Sequence, residues 1–161
     1  MPSAKESDNR MDLYRILAAS SLGMQAQRSR MTAVTSNLVN AETTRTPEGG
    51  PYKRRDVIFQ TVPLDDDEGS SRVMTVGFTE RPSGLVAVEV AGVRESAKAP
   101  KKIYDPAHPD ADAEGYVAYP DINVMEEMAD LMSAVRSYEA NLAVFNATKG
   151  LVRKLLDIGR Q

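Results

Sequence analysis

Two regions of the chain repeat apolar residues with a helical period, and the stretch between them changes to a strand-like one. From Asp12 to about Ala41 there is no Pro. Stepping alternately by four and three selects Leu13, Leu17, Ser20, Met24, Gln27, Met31, Val34, Leu38 and Ala41. That is a narrow seam of coiled-coil type rather than the wide stripe of a helix lying on a globule. Asp12 has N-cap chemistry. The run TRTPEGGP, Thr44 to Pro51, ends the helix through Pro and Gly. The same stepping from Val124 selects Val124, Met128, Leu131, Val135, Tyr138, Leu142, Phe145, Lys149, Val152 and Leu156, and only Lys149 is polar. Asn123 with Glu126 has capping-box spacing, Glu126 and Glu127 suit the positive end of the helix dipole, and Lys149, Arg153 and Lys154 suit the other. A helix of roughly 35 residues is expected, about 50 Å long.

Between the helices, VIFQTV (Val57–Val62), MTVGF (Met74–Phe78), LVAVEV (Leu85–Val90) and YVAY (Tyr116–Tyr119) read as strands separated by Pro, Gly, Asp and Ser. The acid run Asp65 to Ser71 reads as a solvated turn. The expected class is α+β: long N- and C-terminal helices forming a coiled-coil-like pair around a small β-rich insert. The expected segments are a disordered stretch over 1–11, the first helix over 12–46, the insert and an extended connector over 47–119, and the last helix over 120–161.

Composition narrows the chemistry. The net charge of −3 over 161 residues, with Lys53-Arg54-Arg55 as the one dense basic cluster, argues against a phosphate-tracking surface for nucleic acid. With no Cys, neither a disulfide framework nor a thiolate zinc site is possible. No run of 18 apolar residues occurs, and the N-terminus lacks the apolar stretch of a secretory signal, so no direct membrane insertion is expected. The amphipathic helices carry mixed charge rather than the basic polar face of a membrane-surface helix. The lone His108 sits between Pro106 and Pro109, and no nucleophile elbow, phosphate loop or paired-His motif accompanies it. No enzyme and no cofactor are expected.

One motif points elsewhere. Asp110, Asp112, Glu114 and Gly115, followed by Asp121, approach the calcium-loop pattern, and a calcium-binding module over Asp110–Asp121 is the alternative function. Pro106 and Pro109 remove the helix such a loop needs before it, Pro120 stands where the exit helix should begin, and Asp121 is shorter than the bidentate Glu the geometry wants. An extended, proline-pinned connector suits these residues better.

The first helix is intrinsically weak, because Ser20, Ser21, Gly23, Ser29, Thr32, Thr35 and Ser36 all have poor helix preference. It should need the last helix, and other subunits, to stay ordered. Ser20, Gln27 and Lys149 within the seams would then help to set register. The side chains expected to carry contacts are the apolar seam residues above together with Asn37 and Asn40. The two amides can satisfy helix-end groups where the chain turns outward, and ordinary C-terminal capping with no role between subunits is the competing reading.

"SSLGMQAQRSRMTAVTSNLVNAETTRTPEGGPYKRRDVIF" (Ser20–Phe59) resembles the N-terminal signature of the bacterial flagellar rod, hook and filament axial proteins. The continuation "NAETTRT-PEGGPY-RR" and "YDP-HPDA-AEGYVAYPDINV-EEM" resemble the proximal rod subunits within that family. "M-SAVRSYEANLAVFNATKGLVRKLLDIGR" (Met132–Arg160) is similar to the shared C-terminal axial segment. Members usually begin at the MDL now at Met11, so residues 1–10 read either as an extension or as an artefact of start-site choice, and residues 64–98 match much less well. The resemblance implies a structural subunit of the basal-body rod, the drive shaft from motor to hook. It implies export through the flagellar type III apparatus without a cleaved signal, and assembly in the periplasmic space. The implied partners are copies of itself, other rod subunits, the rod–ring junction protein and the ring that acts as bushing. Lys53, Arg54 and Arg55 would lie outside the inner tube, facing either acids on neighbours or solvent.

Overall fold

The computed structural model describes residues 4–64 and 85–158, with side chains from Asp12 onward. The element order is α1 (Ala4–Val39), β1 (Arg55–Pro63), β2 (Val86–Glu95), β3 (Lys101–Tyr104), β4 (Tyr116–Tyr119) and α2 (Val124–Ile158), so the α+β class holds. The expected strand at Met74–Phe78 and the acid run Asp65–Ser71 lie outside the described residues.

Helix α1 starts at Ala4, not at Asp12, so its backbone runs through most of the stretch expected to be disordered. Ala4–Arg10 contains neither Gly nor Pro, and nothing in it stops the turns from continuing. Asp12 is therefore inside the helix, where it forms an i,i+3 ion pair with Arg15 (3.6 Å) instead of a cap. The far end lies at Val39, short of the expected 46: Asn40 Nδ2 donates to Ser36 O (2.9 Å), and Thr43 Oγ1 donates to Asn40 Oδ1 (3.2 Å), so Asn40 closes the last turn. At the start of α2, Asn123 Oδ1 accepts from Met125 N (3.1 Å), an N-cap bond.

Strands β1 and β2 form a two-stranded antiparallel ribbon. Leu64 N donates to Leu85 O (2.9 Å) at one end, and Ser96 N donates to Arg54 O (2.7 Å) at the other. Strands β3 and β4 form a second antiparallel pair, in the register Lys101↔Tyr119 to Tyr104↔Tyr116. The KKIY strand was not expected from sequence. Its two Lys residues hide the alternation, and YVAY supplies the pairing. Gly115, at φ +82°, makes the turn into β4, and a Cβ there would lie 2.9 Å from the Tyr104 ring.

The chain divides into two compact units, through both of which the long helices run. One comprises Met1–Ala26, Phe59–Glu89 and Tyr138–Gln161; the other comprises Gln27–Ile58 and Val90–Ser137. In the first, the buried residues are Ser20, Ala26, Ala87 and Thr148. Gly23 lets the backbone come so near Asn141 that an added Cβ would stand 2.8 Å from Asn141 Nδ2. In the second, the core is Ala33, Val34, Tyr52, Val117, Ile122 and Ala134, with Asn37 and Glu127 buried among them. Here the helices run antiparallel: Arg30 of α1 bonds Asp130 of α2, while Asn37, further along α1, bonds Glu127, earlier on α2.

Candidate functional site

A polar node stands at the end of α1 and the start of α2, wholly inside the second unit. Asn37 is completely buried, and its amide uses its full hydrogen-bonding capacity. Oδ1 accepts from Arg55 N (2.8 Å) and from Tyr52 Oη (3.1 Å). Nδ2 donates to Arg55 O (3.0 Å) and to Glu127 Oε2 (3.0 Å). By bonding both the N–H and the C=O of Arg55, the side chain acts as a one-residue strand against the first residue of β1. Tyr52 Oη also lies 3.0 Å from Ser36 Oγ.

Glu127 is 1% exposed, a burial that a carboxylate tolerates only with partners. Its other oxygen accepts from Arg54 Nε (2.6 Å). Arg54 also pairs with Asp56 and lies 3.9 Å from Asp130, which in turn accepts from Arg30 (2.8 Å). Burial works against the Arg54 charge, but the hydrogen bond and charge of Glu127, followed by Asp56 and Asp130, outweigh it and raise the Arg54 pKa. The basic triplet read as an outward cluster is thus split. Arg54 turns inward, Arg55 faces Glu95 at 3.7 Å, and Lys53 is exposed.

The seam residues separate into two sets. In α1, Val34 is buried, and Leu13, Leu17, Met24, Met31 and Leu38 are half-buried. In α2, Leu131, Tyr138, Phe145 and Val152 are half-buried, but Val124, Met128, Val135, Leu142 and Leu156 are exposed. The innermost α2 positions are instead Glu127, Ala134 and Thr148, with half-buried Asn141 on the same seven-residue step. The single-seam reading of α2 is therefore corrected. One stripe faces the chain's own core, and the other is left to solvent. The reason is size: small side chains at 134, 141 and 148 let helices approach closely, which a count of apolar residues does not register. Met125, Met132, Val144, Leu151, Leu155 and Ile158 are exposed as well.

The polar seam residues do not act as expected. Ser20 bonds back to Ile16 O (2.9 Å) within its own helix, Gln27 Oε1 is buried without a hydrogen-bond partner among the described residues, and Lys149 is exposed. Sequence reasoning missed Tyr52, Arg54 and Glu127. The signal for Glu127 is its place four residues before Leu131, on the inward stripe, where it looks like one more helix-start acid.

The three Asp residues of the calcium-like stretch are committed to the protein itself. Asp110 accepts from Thr44 Oγ1 (2.7 Å) and lies 3.9 Å from Arg45. Asp112 Oδ1 accepts from Glu114 N (3.0 Å) and Tyr116 N (2.8 Å), the work of a turn. Asp121 pairs with Lys101 (2.8 Å) and Lys98 (3.7 Å). Its pKa is lowered, chiefly by the Lys101 hydrogen bond. Among the described residues, no group of three or more metal-ligating side chains converges. His108 Nδ1 accepts from Asp110 N (3.1 Å), and its ring meets Tyr119 edge-on, so it too serves the connector. No helix among the described residues is long and apolar enough to cross a membrane.

Comparison with known proteins adds the context for these surfaces. Residues 113–158 match the family model described as flagellar basal body rod FlgEFG protein, C-terminal. The flagellar basal-body rod protein FlgC of Borreliella burgdorferi is 39% identical over 153 residues, covering 92% of this chain and 98% of that protein. The FlgC proteins of Bacillus subtilis and Salmonella typhimurium are 38% and 37% identical, each over 93% of this chain and the whole of the relative.

Proposed function

The chain belongs to the FlgC family of flagellar basal-body rod proteins, and from that premise we propose that it is a non-enzymatic subunit of the proximal rod. In this reading it assembles through its two long helices with copies of itself and with other rod subunits, and so carries torque from motor to hook. The observation that carries the reading is the second α2 stripe. Met128, Met132, Val135 and Leu142 are all more than a third exposed in the single chain. An exposed apolar stripe of this kind marks an interaction site, and a shaft needs head-to-tail contacts repeated by every subunit. Resistance to twist then comes from many interdigitated side chains along long helices. The apolar seam residues, with Asn37 and Asn40 at the helix end, remain the proposed contact set, supplied partly by packing within the chain and partly by contacts between subunits. The rod–ring junction protein and the surrounding ring are the further partners this placement implies, in the periplasmic space after type III export.

The test is replacement of Met132, Val135 and Leu142 by Glu in the source bacterium. The variant should reach the wild-type level of export and keep its helix content, yet be missing from isolated basal bodies, with motility lost. Incorporation at the wild-type level would remove the α2 stripe from the assembly contacts.

A further inference from the structure

The outward face of α2 carries a run of sulfur near its start. At about 100° of turn per residue, Met125, Met128 and Met132 fall within about 60° of arc, over about two turns of the helix. They are 73%, 48% and 57% exposed, whereas Met24 and Met31 of α1 are half-buried. Glu127 and Ala134, the buried positions of the same stretch, lie on the opposite side of the helix. All of these α2 residues belong to the second compact unit, and the core of that unit is built without the Met face. The chain has no Cys, which leaves methionine as its only sulfur chemistry.

We propose that Met125, Met128 and Met132 form a modification site for hydroperoxides, and that their conversion to sulfoxides keeps an oxidised chain out of the shaft. The first half concerns the chain alone, and the second rests on the reading of this stripe as an assembly contact. At each residue the sulfur lone pair attacks one peroxide oxygen. The S–O bond forms as the O–O bond breaks, a proton passes to the departing oxygen, and water leaves. Sulfur is oxidised to the sulfoxide and the peroxide is reduced to water. A thioether is an adaptable apolar group that fits irregular partner surfaces. A sulfoxide is polar, and an assembly contact would bury it without a donor in every subunit. Because the core side chains lie on the other face, the oxidised chain keeps its fold and loses only its contact surface. Methionine sulfoxide reductases reverse the change. A contact that covers the three sulfurs would also shield them, so the site is open only before assembly.

The site is tested on the purified full-length chain, treated with hydrogen peroxide, quenched at intervals and mapped by peptide mass spectrometry. Sulfoxide should appear at Met125, Met128 and Met132 about fivefold faster, or more, than at Met24 and Met31. Equal rates, or faster oxidation of the α1 pair, would overturn the site whatever becomes of the rod reading. The consequence for assembly is read in the source bacterium with M125Q/M128Q/M132Q, whose uncharged polar side chains stand in for the sulfoxides. This variant should keep its helix content, be exported at the wild-type level, and fall about tenfold or more in isolated basal bodies. Loss of helix content would overturn the proposal by showing that the Met face holds the fold. Incorporation at the wild-type level, with M132E/V135E/L142E excluded, would overturn the oxidation block and leave the rod reading standing. Incorporation of both variants would end the contact reading and the block together, with the peptide map still deciding the modification site.

Discussion

Asn37 shows how much one side chain carries when all its polar valences are used. Its four bonds join the last turn of α1, Tyr52, the first residue of β1 and the first turn of α2. Asn37→Ala would leave the Arg55 N–H and C=O and a Glu127 oxygen short of partners in a buried place. The expected loss is about 2–4 kcal/mol, read as a lower urea midpoint with an unchanged slope. Asn37→Asp should cost more than Ala, because a second carboxylate would face Glu127 Oε2 and the donor to Arg55 O would be gone. Asp121 gives a residue-scale prediction in pH. Its folded-state pKa lies below the ordinary 3.8 because Lys101 and then Lys98 favour the charged form. Its contribution to stability is therefore complete above the unfolded value and is lost as pH falls through the lower folded one. Lys101→Ala should move the Asp121 carboxyl titration upward in NMR, and an unmoved titration would place the cause elsewhere.

At the scale of elements, close backbone approaches are where single substitutions should act. Gly115→Ala places a Cβ against the Tyr104 ring at a left-handed φ. A destabilisation of about 1–3 kcal/mol is expected, together with loss of the edge-to-face Tyr104–Tyr116 contact at 5.3 Å, measurable in the aromatic NMR signals. Gly23→Ala should cost less than Gly115→Ala, since the atom in its way is the end of a side chain that can turn. The helical period was legible in the sequence, as was β4 at its full bounds, whereas α1 ends at Val39 and not at the expected 46. The inward stripe of α2 was not, because its innermost residues are an acid, an alanine, an asparagine and a threonine, none of which scores as core. The node was half legible. Asn37 and Asn40 announced a helix end, but the partners of Asn37 lie 15 to 90 positions away, and no local pattern brings Tyr52, Arg54 and Glu127 together. Strand β3 was hidden for a related reason: KKIY has little strand character of its own and acquires it from YVAY.

For the whole molecule, the distribution of burial along α2 separates what the chain completes alone from what it leaves open. Near the node, α2 has a buried carboxylate and a fully buried Ala134, whereas from Leu151 to Ile158 only Val152 is not exposed. A helix whose apolar positions face water has little beyond intrinsic preference to hold it, and preference alone is marginal at this length. Amides from Leu151 to Ile158 should therefore exchange fastest within α2 in dilute solution, and those around Glu127 and Ala134 slowest. If neighbouring subunits cover this segment in the proposed rod, the same amides should become protected in assembled basal bodies. Leu151→Glu with Leu155→Glu separates the two states. Both side chains are 54% exposed, so the dilute chain should change in stability by no more than about 0.5 kcal/mol. Burying two carboxylates without partners in every subunit contact would be prohibitive, so incorporation and motility should both fail. A variant that assembles normally would show that the last two turns of α2 face solvent in the shaft as well, and the inter-subunit contacts would then have to lie nearer the node.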